Sequence, residues 1–110
     1  MELSNKKENK DVAALAAVER EKINQETAEM HWSELQRYFA SGRVVHVDSA
    51  LDLVEIALAF TLDQADEIKK IQENNRIDFV TDDQAKTWFE SDAVLWAVVV
   101  KPWVLVQQKE

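Results

Sequence analysis

The sequence contains no cysteine, one glycine and one proline among its 110 residues. The lack of cysteine excludes disulfides, thiolate metal sites, iron–sulfur clusters and cysteine nucleophiles. A single glycine excludes the glycine-rich loops that cradle phosphate and the nucleophile elbow of hydrolases. No run of about 18 apolar residues is present, so we expect no membrane span. The first ten residues, MELSNKKENK, lack the apolar segment of a secretory signal, and we expect a cytoplasmic protein.

The remaining composition is that of one soluble globular domain. Apolar residues make up 46% of the chain and charged residues 31%. This balance and length predict a single domain over residues 11–110, preceded by a polar, disordered arm over residues 1–10.

Negative charge is concentrated in the middle of the chain, and the net charge is −8. Residues 48–92 contain twelve acidic residues against four basic ones. Such a surface repels phosphate backbones, which argues against nucleic-acid binding. It could attract a basic partner, or it could serve only to keep the protein soluble.

Hydrophobic patterning predicts an α+β domain, with a small sheet of about three strands packed with four to five helices. We expect one long helix from Asp11 to Ser41–Gly42, with a break near residues 19–22 left open. Its clearest apolar stripe consists of Ala28, Trp32, Leu35 and Phe39. A central buried helix is predicted over 50–60, and the strands over 43–47, 76–80 and 95–106.

The last predicted strand, LWAVVVKPWVLV at 95–106, is apolar at both phases of its alternation. A strand of this kind must be covered on both faces or must pair with another molecule. Pro102 cannot donate a backbone hydrogen bond, so we expect a bulge or bend at Lys101–Pro102. A tight hairpin there would need a cis bond before the proline, and we expect none.

The one group of residues with chemical content is His46 and Asp48 at the end of a strand, followed by Asp52 and Glu55 on a helix. One imidazole and three carboxylates could hold a divalent metal or support acid–base chemistry. The structural alternative is that Asp48 or Ser49 caps the helix, Asp52 complements its dipole, Glu55 is solvated and His46 is half-buried. The spacing matches no specific metal motif.

Two of the four tryptophans, Trp96 and Trp103, lie on opposite phases of the last strand. One of them could therefore stay exposed as an anchor for a protein partner or for self-association.

Several stretches resemble a bacterial family of small proteins, domain of unknown function 2288. They are WSELQR at 32–37 with Phe39 and Gly42, VHVD at 45–48, LDLVE at 51–55, Asp82 with Gln84 and Ala85, and LWAVVV and PWVLV at 95–100 and 102–106. The resemblance covers most of residues 25–107 and implies nothing about activity. From the charge pattern and the last strand we expect a cytoplasmic interaction or regulatory protein without catalytic activity, which uses its acidic helical face or its C-terminal edge. The alternative is a small metal-binding protein or metal-dependent enzyme centred on His46.

Overall fold

The computed structural model describes the backbone of residues 2–109 and the side chains of residues 13–109. In chain order its elements are α1 (Glu2–Glu26), β1 (Ala28–His31), α2 (Trp32–Ala40), β2 (Val44–Val47), α3 (Leu53–Thr61), α4 (Ala65–Glu73), β3 (Ile77–Phe79), α5 (Asp82–Ser91), β4 (Val94–Val100) and β5 (Trp103–Gln108). The strands form one sheet in the order β1-β4-β5-β2-β3. The β2–β5 pair is parallel and the other neighbours are antiparallel.

Helices cover both faces of the sheet, as the two-sided apolar pattern of the last segment predicts. On one face Val98 and Leu105 pack with Ile23 of α1 and with the buried side of α3. On the other face Trp32 and Trp88 bring α2 and α5 against the sheet. Because successive strand residues alternate between faces, the three interior strands β2, β4 and β5 contribute to both cores. The predicted α+β class is therefore confirmed, and the central helix is buried as expected.

The sheet has five strands, so the prediction of about three was too low. One missed strand is β1, which interrupts the single long helix predicted from Asp11 to Gly42. The chain leaves α1 at Thr27, whose backbone N–H and hydroxyl both donate to the carbonyl of Ile23. Ala28 then pairs with Ala97 of β4, although its spacing to Trp32 suits a helix. Pairing satisfies the backbone groups of β4, and this tertiary gain outweighs local helix propensity.

The other missed strand results from a tight hairpin at Lys101–Pro102, where we expected only a bulge or bend. Val100 pairs directly with Trp103, so only two residues join β4 to β5. The peptide bond between Lys101 and Pro102 is cis, although we expected no cis bond at this position. Both strands are interior, and the C-terminal segment is therefore not an edge of the sheet.

The start of α3 is fixed by Asp52, whose carboxylate accepts hydrogen bonds from the backbone N–H groups of Val54 and Glu55. The cap thus lies later than the predicted Asp48 or Ser49. Before it, Gln107 donates to the carbonyls of Asp48 (2.9 Å) and Leu51 (2.7 Å), which ties this loop to β5.

Two local predictions are confirmed. Gly42 adopts a left-handed conformation after α2, with φ of 72°. Thr81 and Gln84 form a capping box at the start of α5. In the part of the chain that the structure describes, no helix is long and apolar enough to span a membrane. The disordered arm predicted for residues 1–10 falls at the start of α1, where side chains lie outside the described residues, and it stays a prediction.

Candidate functional site

A cleft of about 420 Å³ opens where the β4–β5 turn, β3 and the α3–α4 corner meet. We call it the hairpin cleft. Its floor is apolar and consists of the buried side chains of Val45, Ile77 and Val100. Phe60 and Ile68 form a partly buried helical wall. This volume and this predominantly apolar lining fall within the range of ligand-binding pockets in proteins.

Two aromatic side chains, Phe79 and Trp103, form the mouth of the hairpin cleft. Their ring centroids are 5.7 Å apart and their planes are inclined at 58°. This is the tilted geometry that aromatic pairs favour. Phe79 is 49% exposed even so. The pair therefore presents apolar surface to any molecule that enters the cleft.

The polar side chains at the cleft carry both signs of charge. Lys69 of α4 and Lys101 of the hairpin turn line it together with Asp63. Asp78 also lines the cleft, but its pairing with His46 places its side chain on the opposite face of the sheet. The carboxylate of Asp78 accepts a hydrogen bond of 2.8 Å from the backbone N–H of Phe79. Asp63, with φ of 54°, occupies the turn between α3 and α4. The hairpin cleft can thus bind an apolar group and orient a charged one.

Of the residues that line this cleft, only Trp103 was predicted from the sequence as a binding residue. The lining comes from five separate parts of the chain: β2, the end of α3 with the turn after it, α4, β3 and the β4–β5 hairpin. Only the topology of the sheet brings these segments together. Phe79 lies within RIDFV at 76–80, and in the sequence it resembles an ordinary strand residue, because its exposure is visible only in the structure.

His46 faces the α2–α5 side of the sheet, where its ring lies 5.6 Å from that of Trp88. The side chain is half-buried, and its Nε2 atom is fully buried without a hydrogen-bond partner among the described residues. Burial lowers the pKa of His46 below its ordinary value, and the nearby charge of Asp48 opposes this shift. His46 is therefore neutral at pH 7.

The three carboxylates predicted beside His46 each have a partner in the protein. Asp48 accepts from the backbone N–H of Ala50 at 2.8 Å and lies 3.2 Å from the guanidinium of Arg76. These hydrogen bonds hold the pKa of Asp48 below its usual value. Asp52 caps α3.

Glu55, the third carboxylate, accepts hydrogen bonds from Nε and Nη2 of Arg20, at 2.7 and 3.2 Å. This bidentate contact lowers the pKa of Glu55 and raises that of Arg20. It also joins α3 to α1 on the face of the sheet opposite His46. Within residues 13–109 no group of three or more metal-binding side chains is placed to hold an ion. Metal binding by His46, Asp48, Asp52 and Glu55 stays a prediction.

Trp96 and Trp103 were expected on opposite faces of one strand, but the hairpin places them on the same face. Trp96 shares the phase of Val98 and Val100, and Trp103 packs against the same core. Trp96 lies at the other end of β4, 37% exposed, with the ammonium of Lys109 5.7 Å from its ring. Lys109 also pairs with Glu29 of β1 at 2.8 Å. A partner interface at Trp96 stays a prediction, separate from the hairpin cleft.

Comparison with known proteins identifies the family. The family model described as "protein of unknown function (DUF2288)" matches residues 19–108. The fold is similar to the NMR solution structure of PA1075 from Pseudomonas aeruginosa, with a TM-score of 0.73 and 43% sequence identity. That match covers 81% of this chain and 82% of the other. No protein with a curated description matches the chain. The chain belongs to the DUF2288 family.

Proposed function

We propose that this protein is a cytoplasmic, non-catalytic interaction protein, and that it binds its partner through the hairpin cleft. The observation that carries this proposal is the aromatic pair of the half-exposed Phe79 and the partly buried Trp103 beside an apolar floor. Aromatic anchors that insert beside a preformed pocket supply most of the binding energy in many interfaces.

The arrangement of the cleft supports binding without a large rearrangement. Its floor consists of strand residues within the sheet, held by the β2–β3 and β4–β5 pairings. Phe60 and Ile68 are held by packing against the same core. Because these elements are already ordered, a partner that binds to them loses little conformational entropy on the side of this protein.

Other exposed apolar side chains are less suited to this role. Phe89 on α5 is 60% exposed, but it does not line the hairpin cleft. Val99 on β4 is 48% exposed and faces the α2–α5 side, opposite the cleft. Single exposed apolar residues are common on protein surfaces and have no functional implication. Phe89 is for this reason a suitable control.

The proposal is tested by quantitative affinity capture from a cytoplasmic extract with the full chain and two variants. Phe79→Ala removes half of the aromatic mouth, and Phe89→Ala removes a comparable exposed ring elsewhere. We expect one protein to be captured by the wild type and Phe89→Ala, and lost with Phe79→Ala. Capture that is equal for all three proteins contradicts binding at the cleft. Recovery of further copies of this chain alone would identify self-association as the interaction.

A further inference from the structure

We infer that the partner segment bound in the hairpin cleft is acidic as well as apolar: an apolar side chain enters the cleft, and an aspartate or glutamate close to it in sequence meets Lys69 and Lys101. This inference rests on the proposed function and specifies the chemistry of the partner. It commits to a segment of another protein.

The two positive charges of the hairpin cleft are Lys69 and Lys101. Lys69 lies on α4 and Lys101 on the hairpin turn, so they line the cleft from different elements. Both are exposed, and neither forms an ion pair with an acidic side chain of residues 13–109. Arg20, Arg76 and Lys109 are paired with carboxylates, whereas Lys22, Arg37, Arg43, Lys70 and Lys86 resemble the two cleft lysines in having no ion pair among the described side chains. The cleft therefore offers two cations that have no internal partner among the described side chains.

The local charge of the cleft differs from that of the surrounding chain. Residues 48–92 carry twelve acids and four bases, and Lys69 is one of those four. A basic segment would have many acidic sites to choose from on this surface. An acidic segment has a preferred position at the lysines and is repelled elsewhere. Charge thus selects both the partner and its orientation.

The two aspartates at the cleft do not cancel this preference. Asp78 pairs in register with His46, so it lies on the face of the sheet opposite Phe79. Its carboxylate is also engaged by the backbone N–H of Phe79. Asp63 remains, at the helical corner. Two lysines and one aspartate therefore act on a ligand from the cleft face, and an anionic group is favoured near the lysines.

The position of the cleft explains why a chain segment is the expected occupant. β3 is an edge strand, and the mouth at Phe79 opens beside it. A segment can insert one side chain between the two rings and the floor while its neighbours follow the rim. The bound carboxylate then gains charge-assisted hydrogen bonds from an ammonium, which are stronger than neutral ones.

A library of random short peptides displayed on phage, selected on the full chain, tests the inference. Selected peptides are synthesised, and their affinities are measured by fluorescence polarisation. We expect enrichment of an apolar residue next to Asp or Glu, and binding that Phe79→Ala abolishes. We expect Lys69→Glu and Lys101→Glu each to weaken this binding about tenfold. Lys86→Glu, a charge reversal on α5 away from the cleft, should leave it unchanged.

The outcomes separate the two proposals. The inference is overturned if the selected peptides require Phe79 but carry neutral or basic flanks. It is also overturned if they bind Lys69→Glu and Lys101→Glu as tightly as the wild type. In both cases the proposal that the cleft binds a partner remains. Both the proposed function and this inference are overturned if the peptides bind Phe79→Ala and the wild type equally, or if no peptide that depends on Phe79 is enriched.

Discussion

The side chains of Phe79 and Trp103 contact each other although a third strand separates the two strands to which they belong. Phe79 belongs to β3 and Trp103 to β5, and β2 separates these strands in the sheet. Val45 of β2 pairs with Phe79, and the centroids of the two rings are 5.7 Å apart. Both rings and Val45 line the hairpin cleft.

The first prediction is that Phe79→Ala preserves the fold. Because Phe79 is 49% exposed, its truncation leaves no closed cavity. The main loss is the ring contact with Trp103, which we expect to lower the free energy of unfolding by about 1 kcal/mol. Urea denaturation of wild type and Phe79→Ala measures this difference, with Phe89→Ala as the matched control. A loss of several kcal/mol would show that Phe79 is a core residue and would undermine its role at a binding site.

The second prediction concerns Gln107, whose amide joins the loop before α3 to β5. Gln107→Leu keeps most of the side-chain volume but leaves the carbonyls of Asp48 and Leu51 without this donor. We expect a loss of stability of about 1–3 kcal/mol, the usual cost of unsatisfied partly buried polar groups. Gln108→Leu, at an exposed neighbour, is the control. Equal stability of the two variants would show that water replaces the amide without cost.

The third prediction is a pH dependence that originates at His46. Burial places the folded-state pKa of His46 below the 6.5 of an exposed histidine. Just below pH 6.5 the unfolded chain therefore binds more protons than the folded one. The free energy of unfolding consequently decreases as the pH falls through this range, and His46 adds no pH dependence above it.

Chemical denaturation between pH 7 and pH 5 measures this slope, and His46→Phe should flatten it. The depressed pKa values of Asp48 and Glu55 act in a lower window, because the ordinary values of these groups are 3.8 and 4.5. Their contribution to stability is lost only as the pH falls below those values. An unchanged slope in His46→Phe would assign the dependence to other groups.

The fourth prediction distinguishes the interaction protein from the metal-binding alternative. A zinc or manganese site at His46, Asp48, Asp52 and Glu55 would raise the melting temperature by mass action, and His46→Ala would abolish the rise. Arg76 and Arg20 already engage Asp48 and Glu55, and Asp52 is committed to the cap of α3. We therefore expect each ion to shift wild type and His46→Ala equally in differential scanning fluorimetry. A rise specific to the wild type would favour the metal site.

Local signals in the sequence predicted those parts of the fold that local interactions determine. Gly42 ends α2 because its left-handed φ suits glycine, and Thr81 with Gln84 starts α5 through hydrogen bonds within four residues. β1 could not be predicted in this way. Its residues continue a helical pattern, and the reason they are extended is their pairing with β4, far away in the sequence.

The candidate site was less predictable than the fold. The sequence indicated Trp103 as an anchor. Its neighbour Phe79 lies on β3, which is separated from the strand of Trp103 by β2, and only the strand order of the sheet shows that the two rings meet. Conversely, His46 and Glu55 are close in sequence, yet they lie on opposite faces of the sheet, against Trp88 and Arg20 respectively. Sequence proximity does not reveal which side chains meet across a sheet whose strand order departs from chain order.

The most direct test of the central claim is an NMR titration of the ¹⁵N-labelled full chain with the captured partner. Binding at the hairpin cleft predicts that chemical-shift changes concentrate at residues 60–79 and 100–103, and that Phe79→Ala removes them. Changes centred on α5, on α1 or around Trp96, and retained in Phe79→Ala, would contradict the assignment of this cleft as the binding site.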